Sequence, residues 1–355
     1  MAKNPRTAPL ARTAPLARTA PLARTAPIAR TTAIAPAAPG GRAALTAAAE
    51  VVARFRRQRP LRGGSLIVTL FGDSIMPRGG TIALGSLIEL AAPFGLNERL
   101  VRTATARLAH DGWLEGRRAG KLSEYQLSKN GRARFAEATR RIYSEPDATW
   151  SGRWTLIVVP PMRAAERNEI REELVWRGFG EISANVFAHP ELDSQALRSQ
   201  HDSGGLLSKV VAFDASLAGE DAPQRLVELG WDLEDLGLRY QRFVARFAHV
   251  QAQLKRPRDI EPKDGFLVRT LLIHEYRRLH LRDPLLPAQL LRPNWPGAQA
   301  AEQCRDIYAR VFAPSEAYLS RVACRLAGPL PAAEPSVLQR FGGIGPLLQR
   351  LDDEA

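Results

Sequence analysis

The 355 residues hold only two cysteines, Cys304 and Cys324, and no CxxC pair. That excludes a disulfide framework and a cysteine zinc site, and it fits a reducing compartment. Long apolar runs are missing as well. No stretch reaches the roughly 18–20 residues that cross a bilayer, and the N-terminus lacks the compact apolar segment of a secretory signal. The expectation is a cytoplasmic protein with no membrane partner. Acid is absent from residues 1–44, where Lys3, Arg6, Arg12, Arg18, Arg24, Arg30 and Arg42 stand uncompensated and supply seven of the excess positive charges in a net +13. There is no Gly-rich phosphate loop, no nucleophile elbow and no His-Glu-x-x-His pair. Enzymatic, metal-binding and cofactor chemistry are therefore not expected.

What is present favours a polyanionic partner. A pI near 10.5 suits nucleic acid, because Lys and Arg gain affinity by releasing counterions from phosphates. From Arg6 the hexad Arg-Thr-Ala-Pro-Leu-Ala repeats through Arg12, Arg18 and Arg24, then decays after Arg30 into Ala, Pro and Gly. Proline every six residues interrupts any helix, and one Leu or Ile per repeat cannot offset the entropy of ordering the segment. Residues 1–60 are expected to be a disordered basic arm and lead-in. A first folded unit is placed at 61–143. An α+β unit follows at 150–255, opened by the β-rich run Trp154–Val159 and closed by a long helix on which Leu233, Leu236, Tyr240, Phe243, Val244 and Phe247 form one stripe. The strand, helix, strand, strand, helix order of this unit predicts a ferredoxin-like sandwich. A mostly helical domain is placed at 262–330, broken at Pro284, Pro287, Pro293, Pro296 and Pro314, and residues 331–355 are read as a tail.

The first unit carries the densest signal. Ser65–Phe71 and Leu84–Ala91 read as short apolar helices, and Pro93-Phe-Gly95 stops the second. Asn97 is then placed to cap a third helix that runs to about His110, with Gly112 beyond its end. At 100° per residue Val101, Ala104, Thr105 and Leu108 share one face, while Arg99, Arg102, Thr103, Ala106 and His110 share the other. That second face has the chemistry of a recognition helix. Arg forks onto guanine edges or phosphates, Thr bonds either, and Ala admits a thymine methyl; Arg107 flanks it toward phosphate. Trp113–Leu127 alternates on either side of a basic tip, which predicts a hairpin wing with Arg117, Arg118 and Lys121 at a phosphate or the minor groove. The overall prediction is an α+β protein with a winged helix-turn-helix, a ferredoxin-like middle domain and a helical C-terminal domain, bound to double-stranded operator DNA.

On these residues, with Ser65-Leu-Ile-Val-Thr-Leu-Phe-Gly-Asp73 and the Val101–Leu114 segment, the chain resembles the PaaX family of phenylacetate-catabolism repressors. The likeness extends through Trp154–Val159, Trp231-Asp-Leu233, Tyr240, Leu272-Ile-His-Glu-Tyr-Arg-Arg278, Asp283-Pro-Leu-Leu-Pro287 and Trp295-Pro-Gly297, over about residues 61–325. The resemblance implies a cytoplasmic homodimeric repressor displaced from its operator by phenylacetyl-CoA or a related acyl-CoA. For that effector, His274, Arg277 and Arg278 are the candidate phosphate contacts, and Trp231 and Trp295 the candidate ring contacts.

The middle domain also resembles the small CRISPR adaptation nuclease, and a metal-dependent phosphodiesterase is the rival reading. Such chemistry needs an acid at the end of the first strand. The strand ends instead in Val158-Val-Pro-Pro161, and the nearest carboxylate, Glu166, lies in the helix beyond.

Overall fold

The computed structural model describes residues 45–58, 63–144, 150–190, 206–219, 222–255 and 259–353. The hexad repeats lie outside the described residues. Helix α1 (Thr46–Arg56) corrects the reading of residues up to 60 as unstructured lead-in. Ala47, Ala48, Val51, Val52 and Phe55 fall at three- and four-residue steps, and all five are buried in the main core.

Helix α2 (Gly63–Thr69) continues as one π-helical turn, Leu70–Ile75, which carries Asp73. Strand β1 (Thr81–Ala83) leads into α3 (Leu84–Ala91) and α4 (Glu98–His110); the hairpin β2 (Leu114–Ala119) and β3 (Leu122–Leu127) follows, then α5 (Lys129–Tyr143). These three strands make an antiparallel sheet in the order β1-β3-β2.

The middle unit contains β4 (Arg153–Val158), α6 (Ala164–Trp176), β5 (Gly180–Ser183), β6 (Val186–Pro190), β7 (Val211–Ser216) and α7 (Ala222–Gly230). The strands lie in the order β5-β6-β4-β7, every neighbouring pair antiparallel, which is the ferredoxin-like topology. Strands β5 and β6 are joined by a tight reversal at Asn185, which lies in the left-handed region (φ 65°). Ile157 and Phe187 face α6 on one side of the sheet, while Trp154 and Ala188 face α7 and Leu290 on the other. Burial brings the His189 imidazole, beside the Phe179 ring, down to about 4. The unfolded chain takes up this proton near pH 6.5 and the folded chain only near 4, so stability is complete above the first value and lost on descending to the second. Against His189→Gln, denaturant melts of the wild type are expected to lose about 1–3 kcal/mol more between pH 7 and pH 4.5; equal losses would remove His189 as the cause.

The C-terminal part is α8 (Leu233–Leu254), α9 (Pro262–His280), α10 (Pro296–Val322), the short hairpin β8 (Cys324–Arg325) and β9 (Gly328–Pro329), a 3-10 stretch at Pro335–Gly342, and α11 (Gly345–Asp353). Three expectations change here. The aromatic stripe of α8 closes onto this helical part and α1 rather than onto the middle sheet, since Tyr240, Phe243, Phe247 and Val250 belong to the main core. Pro314 does not break its helix; it sits inside α10 where Gly265 of α9, lacking a Cβ, lets the two helices approach. The stretch read as a tail from residue 331 is packed into the fold as far as Ile344, where Val337, Phe341 and Ile344 are buried. Helix α9 is buried from Gly265 to His274 without interruption, as expected of a central helix covered on every side. One apolar core runs through α1–α5 and α8–α10, so the helix-turn-helix and the C-terminal helices form a single packed body.

Candidate nucleic-acid interface

Helices α3 and α4 meet at the Pro93-Phe94-Gly95 turn. Gly95 has φ 84°, which a side chain would strain, and the bare Cα admits Arg56, whose guanidinium donates to the Pro93 carbonyl at 2.6 Å. Asn97 caps α4, its Oδ1 accepting from the Leu100 amide at 2.9 Å. Val101 and Thr105 are buried and Ala104 and Leu108 half-buried, which fixes the rotation of α4 and leaves Arg99, Arg102, Thr103, Ala106, Arg107 and His110 exposed along its outer side.

These outer residues differ in freedom. Arg102 is paired with Glu98, Nε to Oε1 at 2.7 Å. Thr103 donates to the Arg99 carbonyl at 2.8 Å. Arg107 and His110 lie 3.8 Å and 3.3 Å from Asp111 at the helix end, where cations also suit the helix dipole. Arg99 has no side-chain partner among the described residues. The adjoining hairpin carries Arg117, Arg118 and Lys121, all exposed, around Gly120 at φ 60°. Its base is anchored. Glu124 accepts from the Leu326 amide of the β8–β9 hairpin at 2.8 Å, and a Cβ on Gly131 in the first turn of α5 would collide with the Trp113 carbonyl.

Behind this surface lies a buried ionic joint. Asp73, on the π-helical turn, accepts from Arg269 Nε at 2.8 Å, Arg340 Nη1 at 2.6 Å, the Tyr143 hydroxyl at 2.7 Å and the Tyr308 hydroxyl at 3.0 Å. Arg269 also donates to Glu316 at 2.6 Å, and Glu316 accepts from Arg78. Burial opposes the charge on Asp73, but the two guanidiniums and the tyrosine bonds outweigh it and hold the carboxyl below its ordinary range. Burial likewise opposes the charge on Arg269, and Asp73 and Glu316 overcome it. The sequence carries a signal of this joint, since a lone acid in Ile67–Ile75 and a lone cation in Phe266–Ile273 must find partners once buried.

The five residues expected to meet an effector are not brought together. His274 and Arg277 stitch α9 to α2. His274 Nδ1 lies 3.0 Å from Thr69 Oγ1, while Arg277 donates to Thr69 Oγ1 at 2.8 Å and to the Ser65 carbonyl at 2.7 Å. Burial brings Arg277 down to about 10. Trp231 donates to the Gly178 carbonyl at 3.0 Å and lies flat where a Gly180 side chain would stand. It shares a hollow of about 270 Å³ with Arg278. Trp295 instead lines a cavity of about 950 Å³ between the 281–295 loop, α8, α9 and α10, floored by Tyr240, Tyr276 and Phe341.

In the middle domain, Glu166 is paired with Lys209 at 3.0 Å. Among the described residues no three His, Cys, Asp or Glu side chains converge as metal ligands, and no helix is long and apolar enough to cross a membrane.

A helix-turn-helix with an adjoining hairpin, a ferredoxin-like sheet and a helical C-terminal part in one chain define a three-part α+β protein with a basic outer helix. Family profiles match each part in turn: "PaaX-like protein" over residues 62–131, "PaaX protein central Cas2-like domain" over 147–227 and "PaaX-like protein C-terminal domain" over 231–321. The chain is 35% identical over 289 residues to the transcriptional repressor PaaX of Escherichia coli (strain K12), a match covering 80% of this chain and 92% of that one. It belongs to the PaaX family. Among solved structures it is similar to the uncharacterized protein Rv0674 from Mycobacterium tuberculosis, with 26% identity, a TM-score of 0.44 and coverage of 66% of this chain and 89% of that one.

Proposed function

We propose that this protein is a transcriptional repressor, a regulator and not an enzyme, that acts in the cytoplasm as a homodimer on genes of phenylacetate catabolism and leaves its operator on binding phenylacetyl-CoA or a related aryl-CoA. The observation that carries the DNA-binding part is the outer face of α4. Its cations and Thr103 are exposed together, its inner face is packed, and a basic hairpin stands beside it. In this reading α4 enters the major groove and the hairpin is a wing on the flanking phosphates. The 35% identity to a named repressor supports the regulatory part. The nuclease reading has little support, for β4 ends at Val158 and Glu166 is engaged by Lys209.

The experiment is a gel shift on the protein's own upstream and neighbouring promoters, with and without phenylacetyl-CoA and free phenylacetate. A retarded band dissolved by the thioester alone is the expected result, and no affinity above that for random DNA would refute the repressor reading. Deleting residues 1–44 should preserve the choice of operator and lower only salt-sensitive, sequence-independent affinity, because seven dispersed cations can meet phosphates without any geometry for reading bases. Loss of discrimination at matched salt would contradict this.

A further inference from the structure

Four non-glycine residues among those described have a left-handed backbone, and three of them, Leu285, Asn294 and Phe341, line the 950 Å³ cavity beside Trp295. Asn tolerates this region, but Leu and Phe are strained in it, and such outliers gather at ligand clamps and switches. The strain here is held by a definite set of bonds. Asp283 accepts from the Leu285 amide at 2.8 Å and from the Tyr240 hydroxyl at 2.7 Å. Its own carbonyl accepts from Arg141 of α5 at 3.2 Å. Arg141 also donates to the Trp176 carbonyl of the middle domain and stacks on the Trp176 ring. The 281–295 loop is therefore tied to the last turn of the helix-turn-helix unit, and Ser144, at the end of α5, is itself part of the cavity wall.

A second connection runs through the floor. Phe341 packs edge-on against Tyr143 at 5.1 Å and against Tyr308 at 5.4 Å. Its neighbour Arg340 is bound to Asp73. Whatever shifts Phe341 shifts two tyrosines and an arginine of the buried joint.

The chemistry of the wall changes with depth. Tyr240, Tyr276 and Phe341 at the floor are buried and aromatic, with buried His280 stacked on Tyr276 and buried Asp283 bonded to Tyr240; Trp295 is half-buried, and Arg292 and Arg305 lie toward the rim with Glu302. An apolar aromatic floor suits a flat ring or short acyl group, and rim guanidiniums suit phosphates. The volume lies within the range of small-molecule sites, about 300–1,000 Å³.

We propose that this cavity is the effector site. The aryl group rests on Tyr240, Tyr276 and Phe341, the phosphates of the CoA moiety meet Arg292, and the 281–295 loop together with Phe341 carries occupancy to α5 and Asp73. The inference rests on the acyl-CoA reading above and adds the place and the route. It replaces His274 and Arg277, which are spent on holding α9 to α2.

The test is calorimetric titration of the full chain with phenylacetyl-CoA and with CoA, for the wild type, Arg292→Glu and Ala298→Phe, with thermal melts confirming the fold. Ala298 is an exposed residue of the wall, and a ring there fills the cavity. Arg292→Glu should weaken both ligands at least about tenfold, the loss of one charge-assisted contact. Ala298→Phe should weaken phenylacetyl-CoA at least about tenfold and CoA much less, since only the ring is displaced. If Ala298→Phe fails to fold, exposed Arg292 decides the matter. Wild-type affinity for phenylacetyl-CoA in folded variants would overturn the site while leaving the effector reading intact. A wild-type protein that shifts promoter DNA but takes up no acyl-CoA would overturn both.

Discussion

Asp73→Asn is expected to destabilise the protein by about 3–5 kcal/mol, the cost of leaving buried charge without its partner. Arg269 keeps Glu316 in the variant, but Arg340 loses its only carboxylate in the joint and remains buried. Adding Arg340→Met should recover part of the loss, because the uncompensated guanidinium is then gone and a double-mutant cycle registers the coupling. The pH dependence has a definite sign. Asp73 has a lowered folded pKa, so its contribution is complete above the ordinary carboxylate range near 4 and is lost as pH falls through the folded value. Denaturant melts of wild type and variant should therefore differ fully at pH 7 and converge in strong acid. Equal stability at pH 7 would mean that the joint contributes nothing. A chain starting at residue 150 lacks Asp73 and Tyr143, so Arg269 keeps Glu316 but Arg340 is left buried with no carboxylate of the joint, and such a fragment is expected to be less stable than the full chain.

How far these features are legible in the sequence depends on whether the signal is local. The α4 helix is, because its cap, its two faces and its stop lie within sixteen residues, Asn97 to Gly112, and the burial of Val101 and Thr105 follows the periodicity. The ferredoxin-like order is legible from spaced β-rich runs, although the turn at Asn185 inside one of them is not. Helix α1 is hard to read from the sequence because its Ala-rich start continues the composition of the repeats before it, and only the spacing of Val51, Val52 and Phe55 marks an amphipathic face. Partners of buried charges are hard to read for a different reason. Asp73 and Arg269 are 196 residues apart, and Asp73 and Arg340 are 267 apart, so no local pattern links them. The stripe on α8 is plain in the sequence, yet the same stripe would serve the middle sheet or the C-terminal helices; packing decided for the latter. The polar residues of α9 illustrate a different ambiguity. His274 and Arg277 are polar groups in an apolar helix; Thr69 engages His274 Nδ1, and Thr69 and Ser65 engage Arg277. Polar residues in a core signal an obligation to bond, and the bond is more often internal.

Arg99→Ala should be the most damaging single change on the face of α4 proposed to read DNA. Of the basic residues on α4, Arg102 is paired with Glu98, and Arg107 and His110 lie against Asp111. Exposed pairs of this kind are weak, about 0.3–0.5 kcal/mol across one helical turn, so Arg102 can leave Glu98 for DNA at small cost. Arg99, with no partner to leave among the described residues, is also nearer the N-terminus of α4, the end that would meet base edges in the docking proposed above. A lost bidentate contact to guanine costs about 1–3 kcal/mol, or roughly 5- to 150-fold in affinity, and relaxes preference at one base pair. Arg117→Ala, Arg118→Ala and Lys121→Ala on the hairpin should behave differently. Each is expected to weaken operator and random DNA alike and to reduce the salt slope by about one. Titrations on operator and scrambled duplexes at several salt concentrations separate the two classes, because one alters the ratio of the affinities and the other their common dependence on salt. If Arg99→Ala leaves both the ratio and the affinity unchanged while the hairpin variants alter the ratio, sequence is read by the hairpin, and α4 is a solvated helix whose arginines serve only Glu98, Asp111 and water.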